Sequence, residues 1–469
     1  GVYADLSFDF REYVFLSLVG RNDWTSTLPE DKRSYFYGGV SSSLIFTEAF
    51  GINSNILSYG KVRASIARTG NDTDAYLTQP VVYNTNASVG AFTGNLIGFP
   101  FNTLNSQSID NTLGNSEIEP EFTTEYELGT ELRFLSNRIS LDFTYYFRST
   151  TNQIVPIGLP RSSGFNNKVT NIGEVTNEGI EIGLNANVFQ INDFSLDLFG
   201  TFTRNRNIVV ELAEGLSQIS VGGFTNIGIF HFEGQPYGQI YGSVAAKTPE
   251  GDLLVDPTTG KLLDGGLDVI GDPNPDFLAS LAPTISWKGI SLNALFDYRH
   301  GGEMFSATYN QTYGRGTTQG TVPDLPTGRQ VTVVIPGVVG DPNTISAVTD
   351  ESGSYIPNSA QLTVNDWYFI NTFGSAGYDE FSVFDASTIR LREVTLAYDF
   401  PKSLLSNTPF GSASVSLTGR NLWYNAVNFP QDLNFDTEIS GIGVGNAQGI
   451  DFGTAPSVRR YGVNVRFTF

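Results

Sequence analysis

The sequence predicts an all-β protein whose strands form an antiparallel transmembrane β-barrel, or a large part of one, with long loops at one end and short turns at the other. Three observations predict it. The closing segment, Tyr461 to Phe469, sets Tyr461, Val463, Val465, Phe467 and Phe469 on one face and Gly462, Asn464, Arg466 and Thr468 on the other. One face suits lipid and the other a polar lumen. No run approaches the roughly 20 apolar residues of a membrane helix, so any span must be made of strands. Finally, alternating segments are joined in turn by tight turns and by long segments rich in Gly, Asn and Thr.

In chain order, residues 2–10, 12–20, 34–46 and 59–68 read as the first four strands. Residues 125–134 set Tyr126, Leu128, Leu132 and Phe134 against Glu125, Glu127, Glu131 and Arg133. A tight turn at residues 135–137 leads to 138–148, where Ile139, Leu141, Phe143, Tyr145 and Phe147 oppose Ser140, Asp142, Thr144 and Tyr146. An acid in mid-strand must face water. Residues 179–189 and 193–205 repeat the scheme, and 277–287 turns through Lys288-Gly289 into 290–300. In 388–400 the apolar parity changes across Arg392-Glu393, as at a β-bulge or a membrane boundary. Residues 411–420 and 457–469 complete about thirteen strands.

Direction tests the scheme. If the last strand runs toward a periplasmic C-terminus, the long segments 21–33, 69–121, 151–174, 206–276, 301–387 and 421–456 all fall outside the cell. Every short turn then falls on the periplasmic side. An odd strand count beginning with a descending strand does not close as an ordinary bacterial barrel, so part of the wall is expected from elsewhere. Gly1 is not an initiator and no signal peptide precedes the first strand, which suggests a mature or internal piece.

Composition narrows the function. A net charge of −21 argues against nucleic acid or an anionic membrane surface as a partner. Cysteine is absent and there are only two histidines, His231 and His300, so thiolate chemistry is impossible and a histidine metal site or triad is not expected. No nucleophile or acid–base arrangement is visible, so neither catalysis nor a cofactor is expected. Asp252, Asp256, Asp264 and Asp268 lack the spacing of a calcium loop and read as a solvated loop.

Several stretches resemble the SusC/RagA family of TonB-dependent outer-membrane transporters. They are Gly20-Arg-Asn-Asp-Trp-Thr-Ser-Thr-Leu-Pro29 with residues 33–37 and 40–48 after it, Lys61-Val-Arg-Ala-Ser-Ile-Ala-Arg-Thr-Gly-Asn71, Glu119-Pro-Glu-Phe-Thr-Thr-Glu-Tyr-Glu-Leu-Gly129, residues 137–146, Asn171-Ile-Gly-Glu-Val-Thr-Asn-Glu-Gly-Ile-Glu181, Phe384-Asp-Ala-Ser-Thr-Ile-Arg-Leu-Arg-Glu-Val-Thr-Leu-Ala-Tyr398, Gly419-Arg-Asn-Leu422 and the terminal strand. The resemblance spans the chain and weakens at residues 301–361. It implies a barrel of about 22 strands holding a plug, of which residues 1–469 are the C-terminal portion, with plug, TonB box and first strands outside this sequence. It also implies import of an oligosaccharide or oligopeptide, a SusD-like surface lipoprotein, TonB as energy source, and a possible dimer of transporter–lipoprotein pairs. A TonB-dependent siderophore receptor, a passive porin and a surface adhesin are the alternatives.

Within the motifs, Arg21, Asn22 and Asp23 lie at a strand end and Trp24 suits an interface anchor. Trp367, Tyr368, Phe369 and Tyr378 are candidates to stack on a sugar or hold a peptide side chain, or equally to pack the loop on itself. Tyr461, Phe467 and Phe469 look like the signal read by the barrel-assembly machinery, though Phe469 also suits a plain interfacial anchor.

Overall fold

Alternation of side chains along each strand generates a single wall with two unlike faces. The computed structural model describes residues 1–84, 103, 105, 107–212, 215–224, 227–321, 332–368, 373, 377–430, 436–439, 448–455 and 457–469. Thirteen strands lie side by side in chain order, each antiparallel to the next. They are β1 Val2–Phe10, β2 Val14–Trp24, β3 Ser34–Ile45, β4 Leu57–Asn71, β5 Glu121–Phe134, β6 Ile139–Gly158, β7 Asn167–Ile191, β8 Phe194–Glu211, β9 Phe277–Trp287, β10 Ile290–His300, β11 Thr388–Asp399, β12 Ser412–Asn425 and β13 Arg460–Thr468.

The connections alternate between two ends as the sequence predicts but do not divide wholly by length: 46–56 and 400–411, with 11 and 12 residues, share the end of the tight turns, while 25–33 and 159–166, with 9 and 8, share the end of the long loops. Residues 11–13, 46–56, 135–138, 192–193, 288–289 and 400–411 form one end. The other end carries 25–33, 72–120, 159–166, 212–276, 301–387 and 426–459. Lys288 (φ 49°) and Gly289 (φ 85°) both take the left-handed conformation of a two-residue hairpin turn. A Cβ on Gly289 would stand 2.8 Å from the Asp399 carbonyl, so this turn needs glycine.

Several strands run past the boundaries of the sequence reading, β4 to Asn71, β5 back to Glu121, β8 to Glu211 and β12 to Asn425, and two differences reshape the ends most. Arg11 and Glu12 have positive φ and form the turn, so β2 starts at Val14 and runs through the motif to Trp24. β6 and β7 extend well past the predicted ends, to 158 and back to 167, leaving only residues 159–166 as loop. In that extension apolar residues face a different core: Ile172 and Val175 bury with Val209, Leu212 and Ile219, so the alternation that marks a membrane wall is lost.

Along the wall, large apolar side chains on one face stay exposed: Leu128 is 60 % exposed, Leu281 47 %, Leu417 53 % and Val463 69 %. An apolar surface continuous over thirteen strands requires an apolar surrounding. Among the described residues no helix is long and apolar enough to cross a membrane, so the strands carry this face. Aromatics gather at its two ends. Trp24 and Phe36 lie toward the long-loop end; Phe194, Trp287, Tyr398 and Phe467 lie toward the short-turn end. The parity change at Arg392 is a β-bulge: register slips there against both β10 and β12, so Arg392 and Glu393 share the polar face.

The buried core sits beyond the wall, where the long connections fold together. Strands Gln218–Gly223, Gly228–Phe232, Gln239–Ala245 and Asp264–Gly271 form an antiparallel sheet. Ile229 and Ile240, fully buried, pack with Phe305, Ala307 and Ile450, which come from two other connections. Burying each such isoleucine contributes about 2–3 kcal/mol, which holds the three connections as one layer.

Candidate functional site

The polar face of the wall, with the folded layer over its long-loop end, is the surface available to a solute. Its first cluster spans β4 to β6. Arg63 donates from Nη1 and Nη2 to Asp142 Oδ2 and Oδ1 at 2.9 and 2.7 Å, and from Nη2 to Thr144 Oγ1 at 2.5 Å. It crosses the intervening strand over Gly129, where a Cβ would come within 2.6 Å of its Nε. Arg148 pairs with Glu125, Arg133 with Glu131 at 2.7 Å, and Ser65 donates to Glu127 at 3.3 Å. These groups are half exposed, so each pair contributes only about 0–1 kcal/mol and mainly fixes side-chain direction.

A second cluster follows from the bulge. Arg392 donates from Nε to Asp297 at 2.5 Å and from its two Nη groups to Glu438 at 2.8 and 2.5 Å. Arg390 holds Asp436 in a bidentate pair, with Nη1 to Oδ2 at 3.2 Å, and Thr388 and Thr437 share a hydroxyl hydrogen bond at 2.5 Å. Arg420 donates to Glu393 at 2.8 Å. Residues 436–439 of the β12–β13 connection are thereby fastened to the polar face. Beside them lies a pocket of about 470 Å³ whose polar lining is Thr201, Thr203, Ser280, Asp297, Arg299, Thr388, Arg390, Arg392 and Glu438, with Leu278, Ala279 and Tyr298 completing it. Sequence reading missed Asp436 and Glu438; the signal was the pair of arginines, Arg390 and Arg392, beside a parity change, which requires acidic partners.

The motif residues divide between the faces. Arg21 donates to Asp23 at 2.9 Å and Tyr37 donates to the other Asp23 oxygen at 2.5 Å. Asn22 donates to Ser34 at 3.0 Å, across the β2–β3 hairpin. Trp24, 58 % exposed, stands on the apolar face. Tyr461, Phe467 and Phe469 do likewise, with Phe410 within 4.7 Å of the Phe467 ring and 5.2 Å of the Phe469 ring. Trp367 and Tyr378 are half-buried against Ala245, Val255, Leu262, Ile335 and Leu362. The Tyr378 hydroxyl donates to the Leu262 carbonyl at 3.4 Å, and burial pushes it up to about 12. Tyr368 stacks at 6.2 Å on Phe373, beside Tyr313. Phe369 lies outside the described residues.

Three of the four aspartates of the 252–268 stretch bond backbone amides just after them. Asp256 accepts from the Thr258 and Thr259 amides, Asp264 from Gly266 and Asp268 from Val269. Among the described residues no group of three or more His, Cys, Asp or Glu draws together as a metal site.

His231 is buried in the layer, accepts from the Gly238 amide at 3.1 Å through Nδ1, and packs its ring against that of Tyr237 at 3.9 Å between centroids, tilted by 36°. Burial pushes it down to about 4. A histidine that resists protonation when folded costs nothing above about pH 6.5 and destabilises progressively below it, by about 2 kcal/mol at pH 5. Protection factors, exchange corrected for its intrinsic pH dependence, should therefore fall for residues 218–224 and 227–245 between pH 7 and pH 5 in the native protein, and much less in His231→Phe.

Comparison with known proteins adds kinship. Residues 1–422 match the family model described as TonB dependent receptor-like, beta-barrel. TonB-dependent receptor P26 of Formosa agariphila is 24 % identical over 506 residues, covering 100 % of this chain and 46 % of its own length. TonB-dependent receptor SusC of Bacteroides thetaiotaomicron is 27 % identical over 219 residues, covering 45 % of this chain and 21 % of its own. The solved RagAB peptide transporter superposes with a TM-score of 0.71 at 23 % identity, covering 100 % of this chain and 47 % of that one. This chain thus spans about half the length of the relatives matched over its whole extent.

Proposed function

The chain belongs to the TonB dependent receptor-like β-barrel family, a family of the outer membrane, and from that membership we propose that it forms part of the barrel of an importer that admits an oligosaccharide or oligopeptide. The reading is carried by the unlike faces of the wall: an exposed apolar face for lipid, and an opposite face of paired charges and hydroxyls that can wet a channel. In this reading the C-terminus and short turns are periplasmic, and the layer built from the long connections is extracellular. A plug and the segment that contacts TonB would come from the part of the transporter corresponding to the relatives' other half.

A SusD-like surface lipoprotein is the partner we propose for the outer layer, with such pairs able to dimerise. Trp367, Tyr368 and Tyr378 shape that layer near the cargo's entry, and the Tyr461, Phe467 and Phe469 face serves recognition by the assembly machinery. TonB supplies the energy. Cells carrying the transporter and its lipoprotein should take up labelled oligosaccharides or oligopeptides, and deletion of tonB should reduce uptake to background. Uptake unchanged by that deletion would replace the importer with a passive porin.

A further inference from the structure

On the polar face, β8 to β11 place two rows of side chains across the pocket. Cross-strand register aligns Thr203, Leu278, Arg299 and Thr388 in one row, and Thr201, Ser280, Asp297 and Arg390 in the next. The carboxylates there are already engaged: Asp297 and Glu438 by Arg392, and Asp436 by Arg390, while Asp385, which acts on Arg299 only through space, accepts from the Ser387 amide and the Asn428 side chain. Arg299 is different. It is half-buried, its Nε donates to the Gly301 carbonyl at 3.3 Å and its Nη2 to the Pro273 carbonyl at 2.7 Å, and it makes no ion pair among the described residues. Two carbonyls orient the guanidinium without neutralising it, and Nη1 bonds none of the described residues.

We propose that this pocket is a subsite for a carboxylate carried by the transported solute, with Arg299 as its charged donor. The inference rests on the importer reading and adds the chemistry of the cargo. A guanidinium has five N–H donors, and its strongest acceptor is a carboxylate. Thr203 and the Thr201–Ser280 hydroxyl pair, 2.6 Å apart, border the pocket and can bond the neutral part of the same group. The pocket's volume of about 470 Å³ suits one acidic sugar ring or one acidic residue with its neighbours. In a chain of net charge −21 such a solute gains nothing from the general field, so affinity for an acid must arise locally.

The test is binding to the full-length transporter in detergent, with folding of each variant confirmed by its heat-modifiable electrophoretic shift. The probes are an oligogalacturonate with its methyl ester, and an oligoglutamate with the matching oligoglutamine. One acidic probe should bind about tenfold more tightly than its neutral counterpart, and which one does so identifies the source of the carboxylate. Arg299→Gln should erase that preference, while Arg299→Lys keeps part of it. Leu278→Glu should erase it as well, by setting a carboxylate in the cross-strand position opposite Arg299. No acid preference in the native protein would assign Arg299 to a carboxylate of the transporter itself and overturn the proposal. A preference that survives both Arg299→Gln and Leu278→Glu would overturn it too. Binding in detergent needs no TonB, so this result stands or falls separately from the uptake experiment.

Discussion

Replacing Arg390 with methionine releases residues 436–439 from the wall. Arg390 is 2 % exposed and Asp436 1 %, so the change strands a buried carboxylate that has lost its bidentate partner. Removing one member of a buried pair costs about 3–5 kcal/mol, most of it the uncompensated charge. What remains is modest: the Thr388–Thr437 hydroxyl contact, the Ser457 side-chain hydrogen bond to Asp436, the Glu438 amide donating to Asp436 at 3.0 Å, and the half-exposed Arg392–Glu438 pair. These cannot hold the segment against a stranded charge. Hydrogen exchange at residues 436–439 should rise by about two to four orders of magnitude, the factor that about 3–5 kcal/mol implies for local opening, while exchange in β9 and β10 stays unchanged. The double replacement Arg390→Met with Asp436→Leu should recover most of the protection, because no charge is then buried. Native exchange in Arg390→Met alone would show that the pair does not fasten the connection.

The wall was largely legible in the sequence and the layer was not, and the difference is physical. A strand between lipid and water must alternate along its length, and Val2–Phe10, Phe277–Trp287 and Ile290–His300 were therefore readable residue for residue. Arg392-Glu393 could be placed as a bulge or a boundary, and only the register against Leu295 and Phe296 distinguishes them. In the long connections apolar residues meet partners far along the chain, as Ile240 meets Ile450. No local period records such a contact. The same holds for the candidate site: Glu125, Glu131 and Asp142 announced a wet face by their parity, whereas Asp436 and Glu438 joined it from a connection with no pattern. Trp367 and Tyr378 show the limit most clearly, since their half-buried packing depends on Val255, Leu262 and Leu362.

Arginine at Leu281 should be tolerated far less well than arginine at its neighbour Ser280. Leu281 lies near the middle of β9, on the apolar face opposite Phe296, and Ser280 lies on the polar face opposite Asp297. The strand has 11 residues, so at about 3.4 Å per residue and a tilt of about 40° it spans roughly 26 Å, close to the apolar band of an outer-membrane barrel. Leu281 is then near mid-membrane, where an arginine costs about 2–4 kcal/mol. At Ser280 the same side chain gains water and a nearby carboxylate, so its effect should fall within about 0.5 kcal/mol. Denaturant unfolding of the full-length protein from lipid vesicles measures both. The two sites share one strand, one neighbouring hairpin and one substitution, so strand propensity and added bulk largely cancel between them. Only the surroundings of the two faces differ. Equal stability for the two variants would therefore mean that the apolar face does not meet lipid, and the wall would have to be reassigned to a setting in which both faces are wet.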